Sequence, residues 1–186
     1  MLTTTPAIVL SVVKHNDKSS ILHAYTRVGG RVSYIMYGHR FRPEPLSLVE
    51  LTYDYQPTRE IQTIKSISLS HSFAPAGVDI SRQCVSMFVA EVLLSVFRHP
   101  MEDEQMYAFL TSTVEDIQTA ADPENAHLRF LMGLSENLGF GELEATVPQS
   151  RQERQQTLRD LLLHFMTHCE GFVMPRSLDI LTEIFD

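Results

Sequence analysis

The chain has 186 residues, 44% of them hydrophobic and 20% charged, with a net charge of −8. That balance argues against disorder and leaves room for one large domain or two small ones with real cores. Two cysteines, Cys84 and Cys169, with no CxxC pair, support neither a zinc ribbon nor a disulfide scaffold and suit a reducing cytoplasm.

The opening "MLTTTPAIVLSVV" lacks a basic n-region, and Ser11 interrupts its apolar run, so it does not read as a signal peptide. No window approaches the roughly 18 apolar residues of a membrane span. The expectation is a soluble, cytoplasmic protein with no membrane partner.

The first 70 residues carry the period of strands. Residues 7–15 are rich in β-branched side chains, and 19–27 follow a His-Asn-Asp-Lys turn. In 31–37, Val32, Tyr34 and Met36 alternate with Arg31, Ser33, Ile35 and Tyr37. Gly29-Gly30 between these two is expected to take positive φ at both positions, as a tight hairpin demands. Residues 46–55 put Val49, Leu51, Tyr53 and Tyr55 on one face, with Glu50, Thr52 and Asp54 on the other; 60–70 form a fifth strand. Five short strands at this spacing point to a five-stranded Greek-key barrel, the OB-fold.

The period then becomes helical. Val85, Phe88, Val89, Val92, Val96 and Phe97 form an i, i+3/i+4 stripe that Asp79 caps and Pro100 ends. A second helix spans 102–121. Asp122-Pro123 reads as N-cap and N1 of a third, which stops at Gly139. Ser150-Arg-Gln-Glu153 is a capping box for a fourth. A short fifth helix lies in 175–186. The expected fold class is α+β with two domains: a barrel over 1–74 and an all-α domain over 79–186, whose main loop is 139–150.

Charge divides with the domains. Residues 1–80 hold eight Lys/Arg against six Asp/Glu, near +2; residues 81–186 hold seven against 17, near −10. In the barrel, Lys14, Lys18, Arg27, Arg31, His39, Arg40 and Arg42 are interleaved with Tyr25, Tyr34 and Tyr37, and Asp17 is the only acid before Glu44. OB barrels track phosphates with Lys/Arg and stack bases on aromatics. The alternative is a solvated basic face over core tyrosines.

His164 and His168, with Cys169 adjacent, have the i, i+4 spacing of metal ligands, but 165 is Phe, so there is no HExxH, and the face lacks a third ligand. A partly buried helix end is the preferred reading, and no metal or cofactor is expected. There is no GxSxG and no P-loop, and Gly29-Gly30 precedes a strand, not a helix; an enzyme with a small-molecule substrate is not expected. Phe140, Phe172, Val173 and Met174 either seal the helical core or line a groove for a partner.

The opening also resembles the start of RecO-type DNA repair proteins of bacteria. The matching features are Asp17-Lys18-Ser19-Ser20, Tyr25-Thr26, Gly30-Arg31 and Gly38-His39-Arg40. The close, "LLLHFMTHCEGFVMPRSLDILTEIF", is similar to the end of that family. The resemblance implies an OB-fold followed by a helical domain, and no enzyme. It implies a recombination mediator that binds single- and double-stranded DNA and anneals strands. With RecR, such a protein loads the recombinase onto strands coated with single-strand-binding protein, whose acidic C-terminal tail some members hold in an apolar pocket. A nucleoid-associated cytoplasmic location follows. Many members carry a longer insert, sometimes with four zinc-binding cysteines, where this chain has only 139–150. On this reading DNA meets Lys14, Lys18, Arg27, Arg31, Tyr37, His39, Arg40 and Arg42. The alternative is an adaptor of the repair machinery that barely touches DNA.

Overall fold

The computed structural model describes residues 1–38, 41–70, 79–141 and 148–185. Among them are five strands, β1 (Leu2–Asn16), β2 (Ser19–Thr26), β3 (Gly30–Tyr37), β4 (Leu48–Asp54) and β5 (Ile61–Leu69). Five α-helices follow: α1 (Ile80–Val96), α2 (Glu104–Thr119), α3 (Ala126–Asn137), α4 (Arg151–His168) and α5 (Leu178–Ile184). No described helix is long and apolar enough to cross a membrane.

The strands close into a barrel in the order β1-β2-β3-β5-β4. β3 and β5 run parallel and the other pairs antiparallel. β1 serves two neighbours: Leu2–Ile8 pair with β4 and Ala7–Asn16 with β2, with a bulge between Val9 and Ser11. A bulge bends and twists a strand, which is how one strand turns a barrel corner. The expected alternation holds in β3 and β4, except that Tyr55, expected on the face of Val49, Leu51 and Tyr53, lies beyond the end of β4 and is exposed. Leu22, Ala24, Tyr34, Met36, Val49, Leu51 and Ile64 fill the barrel. Burying a side chain of this size contributes about 1.5–3 kcal/mol.

The hairpin turn differs from the expected one. A three-residue loop, Arg27–Gly29, joins β2 to β3, and only Gly30 has positive φ, at 60°. Thr26 organises the loop: its hydroxyl donates to the Gly30 carbonyl (3.2 Å) and accepts from the Gly29 N–H (3.1 Å). A side-chain clasp replaces the second left-handed residue.

Two compact units result. One is Met1–Ala74 with Phe97–Thr111; the other is Pro75–Val96 with Ser112–Asp186. The segment 97–111, assigned to the helical domain from its sequence, thus packs with the barrel.

In the second unit the caps are local and specific. Asp79 accepts from the Ser81 and Arg82 N–H groups and caps α1. The Ser150/Glu153 capping box opens α4. Asp122 does not cap α3, because its carboxylate is taken by Arg129 (2.8 Å). Pro123–Asn125 form a 3-10 turn instead, so α3 starts at Ala126. At Gly139 (φ 86°) the N–H of Gly139 donates to Glu136 and that of Phe140 to Ser135, the paired bonds of a Schellman stop. Glu91 accepts both the N–H and the hydroxyl of Ser177, tying α1 to the start of α5.

Candidate nucleic-acid interface

β1 ends in a two-residue turn, Asp17-Lys18. The Asn16 side chain accepts from the Lys18 N–H (2.9 Å), and the Gly38 N–H donates to the Lys18 carbonyl (3.0 Å). This is an Asx turn, in which a short side chain fixes the backbone. It brings the β1–β2 turn against the end of β3. The result is a hollow of about 260 Å³ lined by Lys14, Asn16, Asp17, Lys18, Ser20 and Arg42, among others. Three cations thus meet one acid. Asp17 pairs with Lys14 at 2.9 Å, and both side chains are well exposed. Ser19 also lines the hollow; its buried hydroxyl has no hydrogen-bond partner among the described residues.

Of the three tyrosines in the basic stretch, Tyr25 and Tyr34 are core residues, at 1% and 0% exposure, and Tyr37 stands out at 56%. Tyr25 packs on Phe97 and Tyr34 on Tyr53, each with ring centroids 5.0 Å apart. Burial raises the Tyr25 phenol to about 12, with nearby Asp103 adding to the effect. Of these three, Tyr37 is the one that offers a face for a base.

Tyr37 belongs to the outer face of the β2–β3 hairpin. The register pairs Ser19 with Tyr37, Ile21 with Ile35, His23 with Ser33 and Tyr25 with Arg31. His23 Nδ1 and Ser33 Oγ share a hydrogen bond of 2.8 Å. Burial, and secondarily the Arg31 charge, holds the His23 imidazole below its ordinary pKa, so it is neutral near pH 7. Sequence reading missed Ser19, His23 and Ser33. The period-2 pattern that placed Tyr37 and Arg31 outside was the signal that would have found the last two.

Arg27 and Arg31 sit at the far end of this hairpin, away from the hollow. Arg27 donates through Nε and Nη2 to Glu104, and Arg31 donates through Nη1 to the Arg98 carbonyl (3.0 Å). Their polar atoms are directed at segment 97–111 of the same unit. His39 and Arg40 lie outside the described residues.

In the helical unit, His164 Nε2 lies 2.6 Å from the Phe140 carbonyl, and Phe140 stacks on His168. A carbonyl only accepts, so that nitrogen carries a proton and has no lone pair to give a metal. The pair is a packed helix end. A second hollow, about 20 Å³, is lined by His127, Arg151, Arg154, Gln155, Leu158, Leu181, Thr182 and Phe185. It has room for about one water.

A closed five-stranded barrel in OB order, bearing a basic hollow and exposed Tyr37 and followed by helices, defines the class: an OB-fold protein with a helical domain. The family model "Recombination protein O N terminal" matches residues 1–73, and "Recombination protein O C terminal" matches 77–143. The chain belongs to the RecO family. It is 28% identical to a DNA repair protein RecO of Bacteroides fragilis across all of both chains. It is 30% identical to one of Phocaeicola vulgatus over 87% of this chain and 68% of that one. It is 25% identical to one of Porphyromonas gingivalis over the whole of both. The B. fragilis alignment runs over 242 positions and this chain has 186 residues, so at least 56 positions have no counterpart here.

Proposed function

We infer that the protein acts in DNA repair and recombination as a non-enzymatic mediator that binds DNA through the barrel. The observation that carries this reading is the hollow where Lys14, Lys18 and Arg42 converge beside exposed Tyr37. Phosphates take the three cations, and a base stacks on Tyr37. Its proposed activities are annealing single strands and, with RecR and single-strand-binding protein, preparing strands for the recombinase. Arg151 and Arg154, beside Leu158 and Phe185, offer an acidic protein tail a basic and apolar landing point at the mouth of the smaller hollow.

The test is fluorescence anisotropy with a labelled oligo-dT over a salt series. Three phosphate contacts give a log-log slope near −2, at about −0.7 per contact on a single strand. Lys14→Ala with Lys18→Ala is expected to bring the slope to about −0.7. An absence of binding at low salt would select the second reading, a protein adaptor. One observation favours that reading: Arg27 and Arg31 are hydrogen-bonded within their own chain.

A further inference from the structure

The hairpin tip is arranged as an anion site whose anion comes from the chain itself. Arg27 presents two N–H groups, and both go to one carboxylate oxygen of Glu104. Forked donation from a guanidinium is the geometry with which proteins hold phosphates. Both side chains are open to water, Arg27 at 54% and Glu104 at 72%. A solvent-exposed ion pair is weak and screened by salt, so a competing anion displaces it readily. The guanidinium is nevertheless well placed. An isolated antiparallel bridge between Gly30 and Pro100, the Tyr25–Phe97 ring contact and the Arg31 bond to the Arg98 carbonyl hold segment 97–104 against the tip. Removing the Glu104 carboxylate leaves all three in place.

The outer face of β2–β3 connects this tip to the basic hollow. From Ser19 to Thr26 the strand spans about 23 Å at roughly 3.3 Å per residue. A stacked strand of nucleic acid covers that distance in about seven nucleotides, at roughly 3.4 Å each. That lies inside the 4–16 nucleotides typical of one OB fold. Ile21, Ile35, His23 and Ser33 line the way, and none of them carries a negative charge.

We propose that Glu104 occupies a second phosphate-contact point at the hairpin tip, and that a DNA strand engaged at the hollow reaches it by displacing Glu104 from Arg27. Glu104 thus acts as a built-in competitor that weakens short or loosely held ligands and yields to longer strands. This rests on the DNA-binding reading above, but its test is separate.

The experiment measures oligo-dT binding by the full chain over a salt series, for wild type, Glu104→Gln, Arg27→Ala and the double variant, with Glu60→Gln as a control for net charge. With an oligo-dT long enough to span hollow and tip, Glu104→Gln is expected to remove the competitor, giving binding up to about 5-fold tighter, the worth of an exposed ion pair, with the slope unchanged. Glu60→Gln is expected to change little, Arg27→Ala to lose the tip contact and make the slope shallower by about 0.7, and Arg27→Ala in the Glu104→Gln background to abolish the gain. An unchanged Glu104→Gln overturns the proposal, as does a gain that survives Arg27→Ala or is matched by Glu60→Gln. Failure of the DNA-binding reading shows instead as insensitivity to Lys14→Ala with Lys18→Ala. Glu104→Gln reports on the tip whether or not wild type binds.

Discussion

His127 gives the helical unit a calculable sensitivity to acid. It sits in α3 at 3% exposure, edge-on to Phe88 (5.9 Å) and stacked on Phe185 (5.8 Å, 8° between planes), and its Nδ1 has no hydrogen-bond partner among the described residues. Burial, reinforced by the positive charges of Arg154 and Arg129, pushes its pKa down from 6.5 to about 3. Arg151 also lines the adjoining hollow, and no acid does. In the unfolded chain the imidazole protonates near 6.5, so the unfolded state binds the proton first as pH falls. Stability is therefore full above about 6.5, erodes from there towards 3, and levels off below. Linkage between those two values gives a loss of about 2 kcal/mol from pH 7 to pH 5. The perturbation is His127→Phe, which keeps an aromatic between Phe88 and Phe185, with His127→Gln as a second non-titrating variant. Urea unfolding at pH 7 and pH 5 reads the effect, and other histidines cancel in the comparison with wild type. The expected result is that wild type loses about 2 kcal/mol more than either variant. Equal losses in all three would refute the reasoning, since a buried neutral imidazole among cations cannot be proton-neutral on unfolding.

Gly30→Ala is expected to cost about 3 kcal/mol or more in thermal or urea unfolding. It forces a side chain into φ 60° and drives a Cβ onto the Met101 carbonyl. Ser150→Ala removes one half of the α4 capping box and should cost about 1 kcal/mol, with hydrogen exchange rising in the first turn of α4. Leu22→Ala opens a cavity at a fully buried barrel position and should cost about 2–5 kcal/mol. Tyr37→Ala should weaken oligo-dT binding by about 1–3 kcal/mol, the worth of one stacked base, with the salt slope unchanged; Tyr37→Phe should bind as wild type.

The barrel was legible because its strands are half-buried, and a half-buried strand writes its two faces into alternate residues. Tyr34 and Met36 point in while Ser33 and Tyr37 point out, the two sets that the alternation separates, and each strand overlaps its expected span, although β1 begins at Leu2, five residues before its expected start. Helix ends were legible where a side chain does the capping. Asp79, Ser150 and Gly139 all act as expected, whereas Asp122 does not, because Arg129 from the next turn competes for its carboxylate. Sequence spacing cannot show that competition. Nor could it show that Thr26 would clasp the hairpin loop and leave Gly29 without positive φ. The segment 97–111 continues a helical pattern along the chain, yet it belongs with the barrel; the contact that decides this, Phe97 against Tyr25, joins residues 72 positions apart.

The candidate site shows the same limit in electrostatic form. A run of basic residues with one acid reads as a single positive surface, but cations count for a polyanion only where their hydrogen bonds remain available. Glu104 is far from the barrel in sequence and meets Arg27 in space, so the sequence tally overstates the hairpin tip and understates the turn at Asp17-Lys18. Screening sharpens the point. At physiological salt the Debye length is about 8 Å, so the near −10 of residues 81–186 acts on a phosphate only where acids stand close to it. A net charge of −8 is therefore compatible with DNA binding. What decides affinity is whether the acids nearest the basic clusters, Asp17 at the hollow and Glu104 at the tip, hold their partners more tightly than a strand of phosphates does.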